Sequence, residues 1–380
     1  MVSSNGMGIF IQQTIQWCKM KNANNILFLA PYPEGYGPSQ RFRLEVYFNS
    51  LKERNIDYDY RTFYSKSSYD KLYRKGDFIS KGIIVLGGFL KRFMLLFSVF
   101  KYDFVFVQRE ITPIGPPIFE WIIAKVIRKK IIYDFDDAIW LPNYSKENEA
   151  FHKLKNYSKV KHIIKWSHSV IAGNDFLKTY ALAFNNNTTV IPTVVNTNNV
   201  HDPKKYEQKS SEKLTIGWTG TLTTNIHIES LEQVFIKLNN KYNYDLLVIS
   251  NKKPELNISN MIYQKWDKKN EISQLMQMDF GLMPLRSDKD FYKGKCGFKA
   301  IQYMSINIPT VISPIGVNAL IVEDKKTGFH AHNDDDWFNI LSDLIEQNIK
   351  VDVLISDARK IIIEQYSVQS QENKFISIFQ

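Results

Sequence analysis

Short runs of apolar, β-branched and aromatic residues alternate with helical stretches along nearly the whole chain, and no other feature limits its fold as much. Ile26–Pro31, Asp57–Phe63, Asp103–Gln108, Lys130–Phe135, Ser169–Gly173 and Thr188–Val194 are the strand-like runs of the first half. Helices are expected between them, over about Gln40–Arg54, Ser68–Phe100, Pro116–Arg128, Lys146–Trp166 and Phe176–Ala183. Strands this short and this apolar are buried on both faces, which is the condition of a parallel sheet covered by helices on both sides. The composition turns polar over Asn196–Glu212, with no apolar periodicity, and reads as a linker. The pattern then restarts with strands at Leu214–Trp218, Asp245–Ser250, Met261–Trp266, Asp279–Leu285 and Pro309–Ser313.

A chain of 380 residues accommodates two such units. The expected organisation is an N-terminal extension at 1–24, a first domain at 25–197, a linker at 198–212, a second domain at 213–358 and a closing helical segment at 359–380. Ligands of doubly wound sheets sit outside the C-terminal strand ends, so a cleft between two facing domains is the natural site.

The net charge is +10 and the Lys and Arg residues are spread along the chain. Nucleic acid, an anionic membrane surface and anionic small molecules all fit that balance. No helix-turn-helix, zinc-finger or aromatic RNA-binding signature is present, so no nucleic-acid partner is expected. Cys18 and Cys296 are the two cysteines, too few and too far apart for a disulfide framework. A reducing, cytoplasmic setting follows. The first 25 residues carry only the apolar run Gly8–Ile11, so no signal peptide is expected.

The stretch from Lys293 to Gly316 is the richest in chemistry. It reads as a lysine-bearing loop, a helix opening at Gly297, a break at Ile306-Asn307 and a buried strand. Lys295 and Lys299 flank the helix start, where free N–H groups, the helix dipole and ammonium charge favour a phosphate. Gln302 follows one turn later on the same face. Thr219, Gly220 and Thr221 form a turn after the first strand of the second half, where glycine lets backbone approach a ligand. In the first half Arg41 and Arg43 follow the Gly35 to Ser39 loop, and Gln108, Arg109 and Glu110 end a buried strand. Asp134, Asp136 and Asp137 cluster at the end of another, in a pattern that also suits N-capping. The seven histidines show no metal-ligand spacing.

The motifs P-Y-P-E-G-Y-G-P-S-Q-R-F-R, D-F-V-F-V-Q-R-E, I-I-Y-D-F-D-D-A-I-W, V-I-P-T-V-V-N-T, G-W-T-G-T and G-K-C-G-F-K-A-I-Q-Y-M occur in that order. In this order and spacing the chain resembles GT-B fold glycosyltransferases, most closely the retaining family 4 type (glycosyl transferases group 1). The resemblance runs from about Asn25 to the C-terminus. It implies two Rossmann-like domains, the first binding an acceptor glycan or lipid-linked sugar and the second a nucleotide-sugar. On that reading Lys295, Lys299, Gln302, Thr219, Gly220, Thr221 and Arg41 hold the donor, with Lys295, Lys299 and Asp134 as catalytic groups. Gln108, Arg109, Asp136 and Asp137 hold the acceptor. No metal or other cofactor is expected, because the D-x-D metal pattern belongs to another glycosyltransferase fold. Cell-surface polysaccharide synthesis at the inner face of the membrane is the implied setting.

This sequence departs from the family pattern in three places. The two glutamates of the donor site fall at Gly294 and Gln302, neither of them acidic. Gly217–Asn225 lacks the expected basic pair, for which Lys295 and Lys299 are candidate substitutes, and Asp134 stands where a histidine is common. A sugar-nucleotide epimerase or a non-catalytic nucleotide- or glycan-binding subunit therefore stays open. Separately, Phe89–Phe100 with Lys91 and Arg92 suits shallow insertion into an anionic membrane, or a helix packed on the sheet.

Overall fold

The computed structural model describes residues 25–72, 78–143, 154–207, 209 and 213–380. The expected extension at 1–24, the start of the helix placed at Lys146 and part of the linker lie outside them.

The first sheet is built from β1 (Ile26–Ala30), β2 (Tyr58–Thr62), β3 (Phe104–Gln108), β4 (Lys130–Phe135), β5 (Ser169–Ala172) and β6 (Thr188–Val190). Its order is β2-β1-β3-β4-β5-β6 and every pair is parallel. β1, β3 and β5 are buried throughout, as their uninterrupted apolar sequences require. The second sheet contains β7 (Thr215–Gly220), β8 (Asp245–Ser250), β9 (Met261–Lys265), β10 (Phe280–Met283), β11 (Thr310–Ile312) and β12 (Phe329–His330). It is also all parallel, in the order β12-β11-β10-β7-β8-β9.

Both orders reverse direction at one point, between β1 and β3 in the first sheet and between β7 and β10 in the second. Loops leaving neighbouring strands in opposite directions open a crevice there. The segments after β1, β3, β7 and β10 therefore line the cleft, and they contain most of the residues singled out above.

Helices are more broken than their periodicity suggests. Pro38–Arg43, a 3₁₀ turn at Glu45–Tyr47 and Phe48–Glu53 replace one continuous helix. Lys66–Leu72 and Phe78–Leu96 are the described helical parts of the next region, and a π-helical turn at Ile122–Val126 extends Ile118–Trp121. Arg92, read as a basic partner for lipid, is buried. Its guanidinium donates to the carbonyls of Ala30 (2.9 Å), Arg61 (3.2 Å) and Ile111 (3.2 Å), satisfying backbone acceptors where strands end.

The end of the chain crosses between the two halves. The Asp352–Gln365 helix packs on the second domain through Ala358 and Ile362, beside Ile301 and Met304. Tyr366 and Val368 then exchange backbone hydrogen bonds with Val195. The final helix, Val368–Ser377, buries Val368, Phe375 and Ile376 against Phe28, Phe106 and Tyr47 of the first domain. Phe375 stacks on the Tyr47 ring with centroids 4.1 Å apart. Phe375→Ala is expected to cost about 3–5 kcal/mol, read as a lower midpoint in urea unfolding followed by circular dichroism.

Candidate functional site

The wall contributed by the second domain starts at β7. The Thr219 N–H donates to the Tyr303 hydroxyl at 2.9 Å, tying the strand end to the Phe298–Ser305 helix. Gly220 ends the strand, and Thr221 caps the short turn Leu222–Thr224 by exchanging hydrogen bonds with Thr224. The chain continues into the turn Asn225–Glu229, which carries His227. His227 Nδ1 accepts from the Arg286 N–H at 3.3 Å, so its ring proton sits on Nε2. Burial pulls the imidazole down to about 3, and Lys299, Lys295 and Arg286 reinforce the shift. His227 is thus a neutral donor within a cationic cluster.

The lysine loop is held by two glycines with positive φ. Gly297 (φ 66°) caps the Phe298–Ser305 helix, and a Cβ there would lie 2.1 Å from Ile321. Gly316 (φ 60°) lets the loop after β11 approach the Lys293 carbonyl, which a Cβ would meet at 2.5 Å. Lys299 then stands over the Trp218 ring, 5.6 Å from its centroid. Burial lowers its ammonium to about 8, and the neighbouring Lys295 charge adds to this against the pull of Asp137. Two ammonium groups held this close favour an anion between or beside them. Next to Arg286 a cavity of about 270 Å³ is lined by Leu285, Arg286, Asp288, Ser313, Asn333 and Trp337.

Opposite lies the first domain's wall, which is acidic and fully paired. Arg109 adopts φ 62°, rare for a residue with a side chain. Its Nε donates to Asp136 at 2.8 Å and its Nη2 to Asp137 at 2.5 Å. The Ser39 hydroxyl donates to Asp136 at 2.6 Å and accepts from Gln108 at 2.8 Å. Burial opposes ionisation of Asp136, yet Arg109, Arg43 and Ser39 hold its carboxyl below the usual range. Asp137 reaches across the cleft to Lys295, 3.0 Å away. The Cys296 thiol contacts the Asp136 carbonyl at 3.1 Å, and Asn174 Nδ2 donates to the Gly294 and Lys295 carbonyls. So the lysine loop is fastened to the first domain by charge and by backbone contacts.

The structure brings Gln108, Arg109, Asp136, Asp137, Lys295 and Lys299 into one place. It treats three other candidates differently. Asp134 is buried and takes both Nε and Nη2 of Arg43, at 2.5–3.0 Å, so its oxygens are occupied. Arg43 also donates to the Ile191 carbonyl at 2.9 Å. Arg41 spans the cleft to Glu271 at 2.5 Å and lies over Trp266, which makes it a bridge between the domains. Gln302 is buried, and its Nε2 has no partner among the described residues. Among the described residues no group of three or more His, Cys, Asp or Glu side chains could hold a metal ion. The sequence does not mark His227 or Arg286 as site residues, and it offers Arg43 without its partner Asp134. His227 lies eight residues beyond Thr219 on a turn that sequence periodicity does not mark, and Arg286 follows a strand end, which is the one cue available for it.

No protein-family model matches the chain, and no curated protein matches it in sequence. Solved structures do match its fold. A glycosyltransferase from Rickettsia africae shares 15% identity over 94% of this chain and 98% of its own, with a TM-score of 0.62. HepE of Anabaena, in complex with UDP and glucose, shares 14% over 93% and 99%, with a TM-score of 0.62. Sucrose-phosphate synthase from Thermosynechococcus elongatus shares 10% over 94% and 98%, with a TM-score of 0.67. The chain therefore has the GT-B architecture of these enzymes: two Rossmann-like parallel-sheet domains facing a cleft.

Removing one member of the buried ion pair should be severe. Arg43→Ala strands the Asp134 carboxylate and is expected to destabilise the fold by about 3–5 kcal/mol. Chemical unfolding of the variant would check this, and an unchanged midpoint would mean that Asp134 is not held as described.

Proposed function

We propose that the chain is a glycosyltransferase. It moves a sugar from a nucleotide-sugar to a glycan or lipid-linked acceptor, in the synthesis of a cell-surface polysaccharide. The observation that carries this is the convergence of Lys295, Lys299 and neutral His227 beside the Phe298–Ser305 helix start, at the crevice of the second sheet. That arrangement suits a diphosphate. The UDP and glucose held by HepE support nucleotide-sugar chemistry on this architecture.

In the proposed reaction the bond between the anomeric carbon and the diphosphate oxygen breaks while an acceptor oxygen bonds to that carbon. Negative charge grows on the leaving phosphate, where Lys295, Lys299 and the Nε2–H of His227 stabilise it. Asp134, occupied by Arg43, acts as a counter-ion within the first wall. The leaving phosphate then takes the acceptor's proton, a front-face displacement with retention. Gln108, Arg109, Asp136 and Asp137 position the acceptor, and Asp137 releases Lys295 to the incoming diphosphate. Gln302, whose Nε2 has no partner among the described residues, offers a donor group to the nucleotide, and Thr219–Thr221 lets backbone approach it. The reaction as drawn uses no metal, since Arg109 stays paired with both Asp136 and Asp137.

The test is thermal melting of the purified chain against UDP-, GDP-, dTDP- and CMP-sugars, since a ligand of the folded state raises the melting temperature. One nucleotide is expected to give a clear shift, weakened at least ten-fold in apparent affinity by Lys299→Ala. Shifts with no nucleotide would defeat the donor site. A shift without transfer or hydrolysis in any acceptor screen would favour a binding subunit instead.

The lowered ammonium of Lys299 makes a further prediction. Its charge is present below about pH 8 and lost above it. Nucleotide affinity should therefore decline between pH 7 and pH 9, and the decline should be absent in Lys299→Arg, whose guanidinium stays charged. Isothermal titration across that range would check both variants.

A further inference from the structure

One helix of the first domain presents a wide apolar face to solvent. In the Phe78–Leu96 helix and the turn after it, Ile79, Ile83, Leu86, Leu90, Phe93 and Phe97 recur at alternating spacings of four and three, and all are exposed. Ile79 and Phe97, at the two ends, are 81% and 73% exposed. The opposite face holds the helix in place, through buried Arg92 and through Phe89 packed on Phe63 and Phe119. A contiguous apolar surface of this extent marks an interaction site.

The surface is broader than one helical seam. The segment carrying Phe119 adds exposed Trp121 and Val126. Lys129 Nζ donates to the Phe100 carbonyl at 3.0 Å and ties the two segments together at their far end. Along the two segments that form the patch, exposed charge has one sign. No Asp or Glu occurs from Phe78 to Lys101, and the single acid from Ile118 to Lys130, Glu120, is buried. Lys91, Lys101, Lys125 and Arg128 are exposed at its margins. A second copy of the chain would bring those cations against their own kind. A partner helix would need only the narrow seam. An anionic bilayer satisfies the breadth, the apolar residues and the charge together.

The patch also lies where it can serve the cleft. Gly88 sits against the Phe63 ring, which a Cβ would meet at 2.4 Å, and Phe63 directly follows β2. That turn of the helix is therefore level with the C-terminal strand ends. The ten residues before it rise roughly 15 Å further, on the cleft side of the sheet. No helix among the described residues is long and apolar enough to cross a membrane.

We infer that this face docks on an anionic lipid surface, with the Phe78–Leu96 helix lying in the plane of the interface and the mouth of the cleft beside the bilayer. Apolar side chains enter the acyl boundary while the marginal lysines and arginine meet the headgroups. The inference does not depend on sugar transfer, and its test contains no substrate.

The full chain would be sedimented with vesicles of phosphatidylcholine alone and of phosphatidylcholine mixed with phosphatidylglycerol. Strong pelleting is expected only with the anionic vesicles, falling as salt is raised. Leu90→Glu with Phe93→Glu should lower it at least ten-fold without changing the melting temperature, since both side chains are exposed. Lys91→Glu with Lys125→Glu should lower it several-fold. No pelleting with anionic vesicles would overturn the inference, as would wild-type binding by the Leu90→Glu, Phe93→Glu variant. A dimer in analytical ultracentrifugation that this variant dissolves, with vesicle binding intact, would assign the face to a second copy instead.

Discussion

A line of paired charges crosses the cleft and sets the geometry of everything around it. It runs from Arg43 and Asp134 in the buried interior, through Asp136, Arg109 and Asp137, to Lys295 on the opposing domain. Ionised groups out of water are tolerable only when each has a partner, so every member depends on its neighbours being in place. The acidic wall is satisfied by arginines from its own domain, and Asp137 carries an ion pair on to Lys295 of the second domain. That bridge is also the contact an incoming anion would compete for. Arg41 and Glu271 form a second tie across the cleft, away from the lysines.

The second domain carries the opposite problem, an excess of positive charge. Burial keeps the His227 imidazole neutral, and Lys299, Lys295 and Arg286 around it add to the effect. Among the described residues Lys299 makes neither an ion pair nor a hydrogen bond and stands over the ring of Trp218, and burial, with the Lys295 charge beside it, makes its ammonium easier to deprotonate. A diphosphate would relieve this crowding. The missing glutamates make physical sense in the same terms. An acid at position 294 would have no room, because even a Cβ on Gly294 would meet Ala138 at 2.8 Å. Gln302 keeps polarity at its position without adding charge.

The chain's return to the first domain links these sites to stability. Residues that follow the second sheet cover one face of the first, with Phe375 and Phe379 among Phe28, Phe104 and Phe106. The first domain's core is therefore completed by residues that follow the second domain along the chain. Movement of the two walls relative to each other must pass through the Val195 and Tyr366 to Val368 crossing, where two backbone hydrogen bonds join the strands of chain.

Sequence alone determined the strands, their burial, the two-domain repeat and the lysine loop, because each is written in residues that are neighbours along the chain. Ile26–Ala30 is apolar without a break, Gly297 opens a helix, and Asn307 takes the left-handed turn that ends it. Such signals reflect local backbone preference and periodicity, and they survive without knowledge of the fold. Tertiary structure decided the pairings. Arg43 meets Asp134 across 91 positions and Arg286 meets His227 across 59. Arg92, a basic residue beside an apolar stripe, turns inward to three carbonyls, while Ile79, Leu86 and Phe93 turn outward. No local pattern distinguishes an arginine that faces lipid from one that caps strand ends. The choice is made by which backbone acceptors the sheet leaves unsatisfied, and those exist only once the strands have been brought side by side.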